Sequence, residues 1–563
     1  MKKLFKKALC IFLCTVMILT LFYGCSKEPE KINFIYPFSG DVDSYDPQVA
    51  ETADEFLIIE NTFEGLVRIN DDGKVVPAAA EKWEISNDGL TYTFYLQKGL
   101  KWNIDTETDE NGEREEDDRL EYMGYDFNPD ITAHDFVFGL RRAVQPETNC
   151  PLFSSVSCIK NAGEIHSGKK KSTELGVNAV DDYTLQITLS TADESFMYSL
   201  TSAAAMPCNE EFFNATKGRY GLGTEYTLFN GQFYVDQILE SSYLLKNNQQ
   251  YAGPSPAVVN ELTLKIPDSE SDNSVIIEGL ESGYYDAAFI SGTDSEKINE
   301  KSGVTYNPYS DTTWAFLLNT NDEVLQYKKL RQAICLGFTH INDTGKEYLS
   351  DAVNLVPPSC TISSNNAVEA LGASLYKQDI EKSKELWKKG CINLDNKEVI
   401  LTVITTEEMQ NYVKQIIQGI QSGIGSLTRD DYSNPISFTL KVQAMTESEM
   451  EIALKKGEYD IAFYPYKSTN TSASGFLKTI ADDNYTDFDA KNFNKNIKKA
   501  DNASNIQELT KAVKSSEKSL IDTYSVYPML YESSYYACAK GVKNVQFHPG
   551  TGRVSFVNAT REE

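Results

Sequence analysis

Two hydrophobic periods are interleaved along the whole of this 563-residue chain, and that alternation limits its fold more than any other feature. The segments ELTLKIPD (261–268), FTLKVQAM (438–445) and TYTFYLQKGLKW (91–102) alternate apolar and polar side chains. Each predicts a strand with one buried face, the last following the turn signal SNDGL. Between them, AHDFVFGLRRAV (133–144), KKLRQAICLGFT (328–339), IEKSKELWKKG (380–390), EEMQNYVKQIIQGIQ (407–421) and NIQELTKAVKSSEKSLIDT (505–523) predict helices. Strands and helices mixed from end to end predict an α/β class built of mixed α+β elements. The length suffices for two or three domains with sizeable cores.

The N-terminus predicts a processed leader. Lys2, Lys3, Lys6 and Lys7 precede an apolar run from Ala8 to Tyr23, which is too short to span a bilayer comfortably. Gly24-Cys25 closes it, so residues 1–24 are expected to be a signal peptide and 25–30 an anchor and linker. A small residue directly before cysteine resembles a bacterial lipobox, which implies lipidation (a palmitate-type anchor) at Cys25 and a place on the outer face of the cell membrane. Leu21 sits one place further from the cysteine than usual, and bulky Phe22 and Tyr23 fill the gap. An ordinary cleaved signal and an uncleaved anchor are the alternatives.

The formal net charge of −29 repels phosphate backbones and argues against a nucleic-acid partner. Tyrosine (32) and phenylalanine (27) are abundant, and a Tyr-rich chain can line an amphipathic cleft as well as build a core. Beyond the leader and Cys25, the cysteines are Cys150, Cys158, Cys208, Cys335, Cys360, Cys391 and Cys538, without CxxC or zinc spacing. They read as small buried hydrophobes, with a Cys150–Cys158 disulfide as the alternative. His134, His166, His340 and His548 are scattered, and no HExxH, GxSxG, P-loop or dinucleotide fingerprint occurs. Neither an enzyme nor a metal or cofactor site is expected.

Residues 104–130 depart from the pattern, with twelve acids against two arginines. Asn111-Gly112 at the centre signals a hairpin. Glu107, Asp109, Asn111, Gly112 and Asp118 also fall loosely on calcium-loop positions, though first and last are swapped relative to the usual Asp and Glu. A solvated acidic hairpin is the main expectation.

FEGLVRINDDGKVVPAAAEKWEISNDGLTYTFYLQKGLKW (63–102), the upstream Asp46-Pro47 and ITAHDFVFGLRRAV (131–144) together resemble the family-5 extracellular solute-binding proteins of ABC importers. NELTLKIPDSESDNSVIIEGLESGYYDAAF (260–289), TWAFLLNTNDEVLQYKKLRQAICLGFTH (313–340) and GVKNVQFHPGTGRVSF (541–556) extend the resemblance over nearly the whole chain beyond the leader. It implies a periplasmic-binding-protein-like type II fold of two lobes joined by two crossing strands. Lobe 1 would comprise residues 31–265 and 525–563, with 66–175 an extra subdomain, and lobe 2 residues 266–524. It further implies a monomer that carries a peptide or other small solute to membrane permease subunits and their ATPases. A surface sensor of the same fold is the alternative.

In peptide-binding members the ligand lies as an extended strand paired with main chain from both lobes. Fifteen residues separate Pro47 from Phe63, a spacing that the resemblance matches to the oligopeptide binders and that places Ala53, Asp54 and Glu55 at one ligand edge. An exposed acidic helix start is the other reading of TADEF. The second edge is YDIAFYPYKSTNTSASGFL (459–477), where the family's arginine, tryptophan and aspartate fall on Phe463, Tyr466 and Thr469. Met445 stands at the position of a pocket tryptophan, and Tyr464 adds a second aromatic. Without the aspartate, a buried ligand ammonium loses its usual partner. The replacements favour a less charged or longer ligand, peptide-like in the first instance, with a sugar or another solute as alternatives.

Overall fold

A computed structural model describes residues 32–562, apart from 71–73, 105–118, 120–126, 194–195, 269–273, 342, 363–364, 374–376, 395–397, 428–436, 469–471, 484, 486–487, 502, 504–505 and 549–552. Cys25, the acidic hairpin with its calcium reading, and Thr469 therefore lie outside the described residues.

The N-terminal half builds one core. Its elements are β1 (Asn33–Pro37), α1 (Ala53–Thr62), β2 (Ala80–Ile85), β3 (Thr91–Leu96), α2 (Ala133–Val144), β4 (Val177–Asp181), β5 (Thr184–Thr188), β6 (Phe233–Leu239), β7 (Ser242–Asn247) and β8 (Glu261–Lys265). One four-stranded sheet has the order β1-β8-β7-β6, with β1 parallel to β8. The other, β2-β3-β5-β4, lies within the segment expected to be an extra subdomain. The period-two pattern of TYTFYL decides its faces: Tyr92, Phe94 and Leu96 are buried and their neighbours are not. Trp102 is fully buried, whereas Trp83 packs on the rim of the same core. Asp135 accepts from the Thr132 backbone N–H (2.7 Å) and hydroxyl (3.0 Å), fixing the start of α2 at the residue the sequence marks.

The second half is a sheet of seven strands covered on both faces. It comprises β9 (Ala287–Ile290), β10 (Thr305–Leu318), α3 (Lys328–Gly337), α4 (Ile380–Gly390), β11 (Glu398–Thr405), β12 (Ser437–Ala444), α5 (Glu447–Lys456), β13 (Ile461–Lys467), α6 (Ala473–Asp483), α7 (Ala490–Asp501), α8 (Ile506–Ile521) and β14 (Val526–Cys538). The order is β9-β14-β10-β13-β11-β12, and the short strand Leu349–Asp351 adds to β14. Phe316, Leu318, Ile461 and Phe463 face one core with α3 and α4; Ala315, Leu317, Ala462 and Tyr464 face another under α6 to α8.

Two expectations change here, and the alternative of a Cys150–Cys158 disulfide is not taken up. The helix expected over 407–421 is two, Gln410–Ile416 and Gln418–Ser422. Thr339 breaks it: its N–H donates to the Ile416 carbonyl (2.7 Å) and its hydroxyl accepts from Gly419 N–H (3.1 Å). The return expected at 525 comes later in packing terms, because β14 lies between β9 and β10 and the chain rejoins the first core at Ala539. Cys150 and Cys158 are both free thiols, each pushed up by burial, to about 11 and about 12.

Asp286 ties the two halves together. Its N–H donates to the Ile35 carbonyl (2.9 Å), its carbonyl accepts from Ala539 N–H (2.8 Å), and its carboxylate accepts from Ile35 N–H (2.7 Å) and pairs with Arg561. Three segments that enter and leave lobe 1 thus meet at one residue.

Candidate functional site

The segments that the sequence marks as the candidate site are the region leading into α1 in lobe 1 and strand β13 in lobe 2; the first is the loop 39–52 with the start of α1. Helix α1 organises that loop with its first-turn acids. The Asp54 carboxylate accepts from the Ser39 hydroxyl (2.7 Å) and from the N–H groups of Gly40 (2.7 Å) and Asp41 (3.0 Å). The Glu55 carboxylate accepts from the N–H groups of Asp43 (3.0 Å), Ser44 (2.9 Å), Glu51 (2.7 Å) and Thr52 (3.0 Å). Thr52 completes a capping box by accepting from Glu55 N–H. The loop base is pinned by Arg142 of α2, which donates to Asp46 (3.0 Å) and Gln48 (2.7 Å) in a buried network. Gly221, at φ +81°, closes against it; a Cβ there would meet Asp46 at 2.6 Å.

Strand β13 is the lobe-2 segment. It pairs with β10 along its full length, but with β11 only at Ile461 and Ala462. Asp460 and Ser468 bond across to β10 through Asn319 N–H→Asp460 carbonyl (3.0 Å) and Ser468 N–H→Asp311 carbonyl (2.8 Å). Even-numbered residues therefore face β10, and the main-chain groups of Phe463, Pro465 and Lys467 face away. No strand among the described residues pairs with that edge beyond Ala462. Pro465 occupies an outward position, where its missing N–H breaks no ladder bond with β10.

Between this edge and the hinge, a row of side chains crosses the sheet: Lys467 lies opposite Thr312, and Thr312 opposite Glu532. Glu532 accepts from the Trp314 indole N–H (2.5 Å), and Trp314 stacks on Phe463 with centroids 5.3 Å apart. Burial lifts the Glu532 carboxyl to about 7, with Glu408 and Asp311 adding to the rise while the Trp314 bond and Lys467 oppose it. Burial also raises Asp311, which is 2% exposed and accepts from the Thr312 hydroxyl (2.9 Å). Toward the hinge, Tyr536 stacks on Phe547 (4.0 Å) and packs by Phe289, whose main chain hydrogen-bonds Tyr36 of β1. The row thus lies between the lobe-2 core and the lobe–lobe contact.

The residues expected at the ligand edges take different places. Ala53 is exposed at the start of α1, while Asp54 and Glu55 turn inward as scaffolds of the loop. Phe463 is fully buried beneath the row, so only its main chain reaches the edge. Tyr464 and Tyr466 pack in the core beneath α6 to α8, and the Tyr466 hydroxyl is buried without a partner among the described residues. Met445 is half-buried at that core's rim, its N–H donating to the Thr405 carbonyl (2.9 Å). Sequence reasoning missed Asp311, Trp314, Lys467 and Glu532. Glu532 interrupts an otherwise neutral strand, YPMLYESSYYAC, and that single charge was the available signal. Two pockets, of about 40 and 10 Å³, lie within lobe 1 around Glu64 and take no part in the cleft.

Comparison with known proteins gives the lineage. The family model for bacterial extracellular solute-binding proteins, family 5 (middle), matches residues 74–488. A dipeptide-binding protein of Lactococcus lactis subsp. cremoris is 23% identical over 96% of this chain and 97% of its own. A probable deoxycholate-binding periplasmic protein of Escherichia coli, YgiS, is 32% identical over 42% of this chain and 40% of its own. The fold of Listeria monocytogenes OppA bound to peptide superposes with a TM-score of 0.66 at 22% identity, covering 95% of this chain and 100% of that one. The chain belongs to the family-5 bacterial extracellular solute-binding proteins and has their two-lobed fold.

Proposed function

We propose that this protein is the solute-binding subunit of an ABC importer, that it binds an oligopeptide or peptide-like ligand between its lobes, and that it delivers the ligand to membrane permease subunits. The observation that carries this reading is the edge of β13 at 463–467, with which no strand among the described residues pairs. An extended peptide can add to such an edge by main-chain bonds that ignore its side chains. The name of the L. lactis relative supports the same cargo. The chain acts by binding and not by catalysis; its family consists of carriers. Cys25 would hold it to the outer membrane surface through a lipid, as a monomer. The lobes would divide near residues 266 and 538, with closure a hinge motion about Asp286 that ligand binding favours.

The YgiS relative favours a second reading, an apolar non-peptide cargo in the same cleft. Native mass spectrometry of residues 26–563, followed by denaturation to release co-purified ligand, separates the two. A ladder of peptide masses is the expected result. A single non-peptide mass overturns the peptide reading and leaves the carrier fold with another cargo.

A further inference from the structure

The lobe-2 wall of the cleft carries an imbalance of charge that the protein does not itself neutralise. Glu532 has one hydrogen-bond partner, the Trp314 indole. Among the described residues no cation lies within 4.0 Å of Glu532 or of Asp311. Lys467, the one cation that acts on both, instead holds its ammonium over the Phe289 ring at 5.7 Å. Glu408, whose carboxylate accepts from the Tyr348 hydroxyl at 3.3 Å, adds a third negative group. Asp311 and half-buried Glu532 thus share Lys467 as their nearby cation, whereas Glu408 is exposed and also acts on Lys346.

A second observation points into the same opening. Thr405 ends β11, where pairing with β13 stops, and is fully buried with its hydroxyl unpartnered among the described residues. By strand alternation it lies on the face of Val403, the face that also carries Phe463 and Trp314. The Thr405 hydroxyl borders the end of the unpaired strand edge, and Glu532 lies two strands inward from that edge. Buried polar groups in native proteins are normally satisfied, and a ligand is one means of satisfying them.

We infer that Glu532, seated on Trp314, is a specificity-determining residue that receives a cationic nitrogen of the ligand and replaces the aspartate missing at Thr469. This rests on the peptide reading above. The row from Lys467 to Glu532 spans two strand spacings, about 10 Å. An extended lysine side chain, or a terminal amine bent over the sheet, covers that span together with the glutamate's own reach. The incoming cation accepts no hydrogen bonds and donates up to three, so it complements Glu532 and the carbonyls at the end of β13.

The test uses three amidated pentapeptide pools: one with a free amino terminus and one acetylated, both free of charged side chains, and one acetylated whose sole charged side chain is a central lysine. Retention on the wild-type protein, on Glu532→Gln and on Glu532→Asp is read by mass spectrometry, with thermal unfolding to show that each variant is folded. The expected result is a preference of at least about tenfold for one or both cationic pools, lost in Glu532→Gln and partly kept in Glu532→Asp. Which pool is preferred tells the terminal amine from the side chain. Equal retention of all three pools by wild type, or a preference that survives Glu532→Gln, overturns the inference and leaves peptide binding intact. Failure to retain any pool overturns the peptide reading itself, and the inference with it.

Discussion

The two lobes both hold carboxylates largely turned from solvent, Asp54, Glu55 and Asp311 buried and Glu532 half-buried, and they treat them in opposite ways. On lobe 1, Asp54 and Glu55 together accept seven hydrogen bonds, six from backbone N–H groups of the loop 39–52 and one from Ser39. On lobe 2, among the described residues, Asp311 and Glu532 each accept one side-chain bond and have no ion pair. Only the loop surrounds its carboxylates with a full set of backbone donors. A saturated carboxylate holds architecture. An under-satisfied one, placed where a ligand arrives, is available for recognition.

Breaking the saturated side should have the larger effect. Glu55→Ala removes four bonds to backbone donors and leaves those donors to find other partners. It should destabilise the protein by about 3 kcal/mol and abolish ligand binding, checked by urea unfolding and by calorimetry with the co-purified ligand. A loss below about 0.5 kcal/mol would mean that the loop does not depend on Glu55.

The under-satisfied side should respond in the reverse direction. Glu532 has its carboxyl raised to about 7 in the fold from an ordinary value of 4.5. Its contribution to stability is therefore full below the unfolded value and is lost as pH rises through about 7. Glu532→Gln keeps an acceptor for Trp314 and has nothing to ionise. It should raise the stability of the empty protein at pH 8 by on the order of 2 kcal/mol, and change it little at pH 4.5. Thermal melts at the two pH values check this; equal shifts at both would refute the charge argument.

Two smaller effects sharpen the contrast. Asp311→Asn should stabilise the empty protein at pH 8 by about 1 kcal/mol, less than additively with Glu532→Gln because each carboxylate raises the other's cost. A double-mutant cycle by denaturation reads that coupling, and strict additivity would separate the two sites. Ala53→Lys, on the exposed rim of α1, should change stability by less than about 0.5 kcal/mol, leaving any change in ligand affinity to report on the cleft alone.

Much of the fold was legible where local chemistry repeats. The helices over 133–144 and 380–390 have the bounds their caps and patterns predict, and the segments 91–102, 261–268 and 438–445 contain strands. The helix over 407–421 was misread because the groups that split it belong to Thr339, distant in sequence. The burial of the candidate-site side chains was not legible. TADEF is indeed a helix start, yet its acids turn inward because seven donors of a preceding loop surround them. Phe463, Tyr464 and Tyr466 alternate between two cores, which the fully apolar run IAFYPY could not reveal.

What the sequence determined alone is the class and the lineage, since periodicity, caps and family motifs are properties of short stretches of chain. The tertiary structure decided which charges are satisfied. Glu55 and Glu532 are the same residue type in strand- and helix-forming contexts. Only the count of donors brought within about 3 Å from elsewhere in the chain makes the first a scaffold and leaves the second open to a ligand.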